Sequence, residues 1–141
     1  MVKARAVVLF AAVFGVMAPA AHAEPPQPPP ASSDAWKQIY EDSQTVYYVS
    51  AATTAADVTA TQSLLEFKVP QVVGSAQAWS VVSRMRLNCD TRQVVTVDNT
   101  TYAHKMGTGT VVQSQGANDS WHQPEPGSLG ELIWSTVCGK K

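Results

Sequence analysis

The residues that could do chemistry are few and scattered. Ser128 sits in Pro126-Gly127-Ser128-Leu129-Gly130, which resembles the turn that lifts a nucleophilic serine off the end of a buried strand. Such a serine needs a histidine to take its proton and a carboxylate to orient that histidine. The residues before Ser128 read QGANDSWHQPEPG, a polar loop and not a buried strand. Ser128 and Glu131 instead match a capping box, in which the serine oxygen accepts a backbone N–H of the first helical turn. His104 and His122, the histidines beyond the N-terminal segment, belong to no HxH, HExxH or Cys-His cluster. The residue inventory therefore yields no catalytic residue, no metal ligand set and no cofactor site, and the chain reads as non-enzymatic.

Three other groups carry chemical meaning. Cys89 and Cys138 are the chain's two cysteines; in an exported protein they are expected to pair, closing a loop of roughly 50 residues. Arg84 and Arg86 fall on one parity of a strand, and Arg92 follows three residues after Cys89. This arginine strip fits either recognition of an anionic partner or ion pairing with neighbouring Asp and Glu. Trp121, between Ser120 and His122 in a polar loop, is the best single candidate for an exposed aromatic anchor. Arg84, Arg86 and Trp121 are the expected partner-binding residues. Asn99-Thr100-Thr101 and Asn118-Asp119-Ser120 match a weakly specific glycosylation pattern and read as turns.

The elements that position these residues follow from periodicity. Trp79, Val81, Ser83, Met85, Leu87 and Cys89 share one parity, expected to be buried; Ser80, Val82, Arg84, Arg86 and Asn88 share the other. Leu65, Phe67 and Val69 alternate with Glu66 and Lys68, and Pro70 is expected to stop that strand. Thr45 to Val49, Gln93 to Asp98, Thr100 to Met106 and Thr108 to Ser114 are further strand candidates, with an edge strand from Trp36 to Tyr40. After the Pro126-Gly127 break, Leu129, Leu132, Ile133 and Val137 recur at helical spacing and Gly139 stands where a helix would end. The expected fold is α+β: an antiparallel sheet of about five to six strands with a C-terminal helix on one face, tied by a disulfide.

The first residues differ in kind. Lys3 and Arg5 precede an apolar run from Ala6 to Val16, and Ala21-His22-Ala23 offers small residues to a signal peptidase. Residues 1–23 thus read as a signal peptide and residues 24–34, EPPQPPPASSD, as a stiff proline-rich linker, with the folded domain over 35–141. No cysteine near the junction offers a thiol for lipid attachment, and no membrane span is expected after signal removal. The 141-residue chain carries 10 Lys+Arg against 11 Asp+Glu; loss of Lys3 and Arg5 leaves 8 − 11 = −3. A weakly acidic chain argues against nucleic acid as a partner.

Several landmarks together resemble the surface-adhesin protein E-like domain family. They are Val46-Tyr47-Tyr48-Val49, Leu87-Asn88-Cys89-Asp90, Gly109-Thr110-Val111-Val112-Gln113-Ser114, then Trp121, Pro126-Gly127-Ser128 opening a helix, and Val137-Cys138 closing it. The resemblance spans about residues 35 to 139. It implies an antiparallel sheet with a C-terminal helix tied across by a disulfide. It also implies an exported binding module, periplasmic or at the cell surface, that recognises a protein or envelope component; the family's namesake is an outer-membrane adhesin for host matrix proteins. The alternative expectation is a periplasmic structural or stress-related envelope protein.

Overall fold

A computed structural model of the chain describes residues 35–116 and 120–139. The expected signal peptide and proline-rich linker, residues 1–34, and most of Asn118-Asp119-Ser120 lie outside the described residues. The elements are β1 (Trp36–Glu41), β2 (Thr45–Ser50), β3 (Thr53–Ala55), β4 (Val58–Val73), β5 (Ala76–Asn88), β6 (Gln93–Tyr102), a short 3-10 turn (Lys105–Gly107), β7 (Val111–Gly116) and α1 (Leu129–Cys138). The strands form one antiparallel sheet in the order β1-β2-β4-β5-β6-β7, with β3 paired to β4. The α+β architecture expected from the sequence is the one observed.

Local chemistry sets the turns. Asp42 Oδ1 accepts from Gln44 N at 2.8 Å, Thr45 N at 2.7 Å and Thr45 Oγ1 at 3.0 Å, fixing the β1–β2 turn as an aspartate-centred loop. Those backbone donors, Gln44 first and Thr45 next, hold the Asp42 carboxyl below its ordinary range. Gly74-Ser75 joins β4 to β5 as a two-residue turn, and Gly74 takes the positive φ of 63° that such turns need.

The helix forms as its flanks dictate. Ser128 Oγ accepts from Glu131 N at 3.2 Å, the expected N-cap. The returning Glu131 carboxylate takes the N–H of Gly127 at 2.7 Å, while Ser128 N donates to Glu125 O at 3.1 Å. Gly139, with φ 80°, ends the helix. The Cys89–Cys138 disulfide, with a Cα separation of 5.5 Å, ties its last residue to the loop after β5.

The buried parity of β5 differs from the expected one over its first half. Ala78, Ser80 and Val82 are buried there and Trp79 is half-buried; from Met85 onward the buried residues are Met85 and Leu87. The sheet has two covers on opposite faces. Against one face, α1 packs Ile133 and Trp134 onto Val49, Met85, Leu87 and Val94. On the other, Trp36, Leu64 and Val82 are packed by Tyr48, Tyr102 and Met106. The burial pattern changes hands at Arg84 and Met85, where β6 carries one extra residue, Val97, and the register shifts.

Polar residues serve the second core. Ser80, fully buried, donates from Oγ to His104 O at 2.6 Å and accepts from Gly107 N at 2.9 Å. Buried Glu66 accepts from Met106 N at 3.2 Å. These bonds seat the loop after β6, so residues that read as solvent-facing are buried and satisfied. The same packing leaves Leu65 and Phe67 half-buried and Val69 exposed, opposite to the alternation expected for them.

Other strand bounds also differ from expectation. β4 does not stop at Pro70; it continues to Val73 through a register irregularity between Glu66 and Gln71, where a missing N–H is tolerated. β6 runs unbroken through Asp98 and Asn99, so Asn99-Thr100-Thr101 is strand and not a turn. It ends at Tyr102, and the chain pairs again from Val111. The Ala/Thr-rich residues after Ser50 form the β3–β4 hairpin.

Candidate binding surfaces

Arg84 and Arg86 lie two residues apart on β5, on the sheet face away from α1, as expected. Their environments differ. Register places Arg84 opposite Asp98 on β6, and Nε donates to Oδ1 at 3.0 Å and Oδ2 at 2.9 Å, while Nη2 donates to Oδ2. The two side chains are only 13% and 19% exposed, so this fork-shaped pair is largely shielded from water. Arg84 thus follows the ion-pairing branch of the sequence reading. Arg86 sits between Ala60 and Val95 in the register and is exposed.

Arg92 does not extend this strip. It occupies the β5–β6 loop with φ 54° and turns toward the helix, where it pairs with Glu131 and lies 5.2 Å from the centre of the Trp134 ring. Strand parity could not place it, because a loop residue of positive φ breaks the alternation. Glu131 thereby joins the helix cap to the loop that carries Cys89.

Trp121 is 40% exposed. Its neighbour His122 pairs antiparallel with Val94 through His122 N to Val94 O at 3.1 Å and Val94 N to His122 O at 2.9 Å. That bridge lays the loop along the stretch of β6 not paired by β7, and Pro124 is buried behind it. Trp121 is therefore carried by an anchored loop. Trp79, expected in the core, is half-buried with the Lys105 ammonium 5.3 Å from its ring centre.

Two surface features escaped the sequence reading. A groove of about 520 Å³ runs between the β1–β2 hairpin and the start of α1, lined by Tyr40, Tyr47, Leu129, Leu132 and Ser135 with Asp42 at its rim. Tyr40 and Tyr47 face each other in the register with ring centres 5.9 Å apart, and Tyr40 is 47% exposed. Beyond it, the distal ends of β4 and β5 pair only with each other from Gln71 to Ala78 and expose Val69 and Val72. The signal for the groove was the pair of tyrosines flanking the Glu41–Gln44 turn.

His104 and His122 lie on separate loops, and Ser128 Oγ is occupied by its cap. Among the described residues, no group of three or more His, Cys, Asp or Glu side chains is gathered to hold a metal ion, and no helix is long and apolar enough to cross a membrane.

Solved structures share the architecture. A structure of Haemophilus influenzae protein E superposes with a TM-score of 0.63 at 14% identity, covering 79% of this chain and 89% of that one. A second crystal form of the same protein gives 0.63 at 14% identity, covering 82% and 96%. Protein E from non-typeable Haemophilus influenzae gives 0.57 at 14% identity, covering 79% and 80%. Among curated proteins none matches significantly. At such identity these likenesses establish the fold alone. The profile of the family described as surface-adhesin protein E matches residues 36–139, from the first residue of β1 to the residue that ends α1. The chain belongs to the surface-adhesin protein E family.

Proposed function

We propose that this protein is an exported, non-catalytic binding module that attaches to a protein or envelope component as an adhesin. The observation that carries this reading is the family match over residues 36–139, which takes in every strand and the helix. The proposed contact surface is the end of the sheet face away from α1 that presents Arg86, with the adjoining loop that presents Trp121. Arginine and tryptophan dominate interface energies because each combines a large contact area with a directional polar group. Arg84 lends its position more than its charge: Asp98 already neutralises it, and drawing it to a partner would strand that carboxylate. Arg86, two residues on, is exposed on the same face.

On this reading the helix and its disulfide are scaffold. They fill one face of the sheet and hold rigid the end of the opposite face that carries Arg86. The test is display on intact cells: an antibody to the folded domain, or a membrane-impermeant amine label, should reach the protein without permeabilisation. Labelling that appears only after the outer membrane is opened would overturn adhesion and favour the periplasmic structural role.

A further inference from the structure

We propose that the groove between the Tyr40–Tyr47 pair and the start of α1 is the docking site of the chain's own proline-rich segment, residues 25–30. This goes beyond the adhesive role and does not depend on it. The groove offers what a polyproline helix requires. The tilted Tyr40–Tyr47 pair, Leu129 and Leu132 give it an apolar and aromatic lining, Asp42 and Glu131 add two carboxylates, and its volume is about 520 Å³. Neither tyrosine hydroxyl has a hydrogen-bond partner among the described residues, so both can donate to carbonyls of an incoming chain. Prolyl peptides present carbonyls without N–H groups of their own, which suits a surface that supplies donors and ring faces but no strand ladder.

The segment has matching periodicity. Residues 25–30 read Pro-Pro-Gln-Pro-Pro-Pro. At three residues per turn, Pro25 and Pro28 share one edge and Pro26 and Pro29 the next, leaving Gln27 and Pro30 on the third. Two adjoining edges are therefore entirely proline and form one apolar ridge. Six such residues extend about 19 Å at ~3.1 Å each.

The chain also has the reach. The described residues begin at Ala35, directly before β1, and among them no strand pairs with the outer side of β1. Tyr40 lies four residues past Trp36, about 13 Å along the strand at ~3.3 Å per residue. Residues 31–35 contain no proline and can span up to about 16 Å, enough to reverse direction and bring residues 25–30 back beside β1. Docked there, the linker would be strapped along the open edge of β1, leaving the Arg86 and Trp121 side uncovered.

The test is proton NMR on protein purified from the exported fraction. Cross-peaks between proline Hδ protons and the Tyr40 and Tyr47 rings are expected, unchanged over a tenfold dilution. They should vanish on replacing Pro25, Pro26, Pro28 and Pro29 with serine, changes outside the folded domain, and the tyrosine ring shifts should move. Tyrosine shifts identical in wild type and this variant would overturn the proposal. So would cross-peaks that arise only between differently labelled chains in a mixed sample, which would assign the groove to a second copy.

Discussion

Replacing Cys89 and Cys138 together by serine removes the one covalent tie between the sheet and α1. The bridged residues are 49 apart in sequence. Closing a loop of about 50 residues in the unfolded chain lowers its entropy enough to stabilise the native state by ~4 kcal/mol at 25 °C. The other ties to the helix include the buried side chains of Ile133 and Trp134, with Leu129 and Val137 packed beside them, and the Arg92–Glu131 pair, whose arginine is half exposed and contributes at most about 1 kcal/mol. A ten-residue helix is marginal without such support. For a domain whose total stability is of order 5–15 kcal/mol, the expected loss is a large fraction. Urea unfolding followed by tryptophan fluorescence reads it directly. With a slope of about 1–3 kcal/mol per molar, the midpoint should fall by roughly 1.5–4 M, and the slope should rise as the unfolded chain expands. A midpoint within about 0.3 M of wild type would refute the reasoning and assign helix docking to the Ile133 and Trp134 contacts alone.

Three further outcomes follow from named contacts. Ser128→Ala removes the N-cap acceptor of Glu131 N and should cost about 1 kcal/mol in the same urea assay. Arg84→Met leaves Asp98 largely buried without its counter-charge and should cost about 2–3 kcal/mol, most of it recovered when Asp98→Asn is added; two independent, additive losses would contradict the pairing. Asp42 has a folded pKa below its unfolded value, so its contribution to the β1–β2 turn is fully present above about pH 4 and is lost as the pH falls through the lower folded value. The amide resonances of Gln44 and Thr45 should report that loss between about pH 5 and 2, and Asp42→Asn should abolish the transition.

What the sequence made legible was what is settled locally. Ser128, Glu131 and Gly139 act within a few residues of one another, so the helix and its ends could be read directly. Two cysteines leave one intramolecular pairing, and that is the bridge observed. The misread strand faces have a common cause. Ser80 and Glu66 look outward by type, yet a loop 24 to 40 residues away supplies their hydrogen bonds and buries them. Arg84 could be placed on the correct face, but its capture by Asp98 depends on the β5–β6 register and a bulge that no residue type announces. The tyrosine groove left only Tyr40 and Tyr47 as its trace in the sequence, since it exists only where the hairpin of β1 and β2 meets a helix about 80 residues further on.

On the proposed adhesive reading, titration of the protein against immobilised extracellular-matrix proteins, comparing wild type with the Arg86→Glu, Trp121→Ala double variant, is the most direct test. Charge reversal of Arg86 and loss of the Trp121 ring should weaken binding by at least tenfold, about 1.4 kcal/mol or more. Equal affinity of both proteins for the same matrix component would contradict the account.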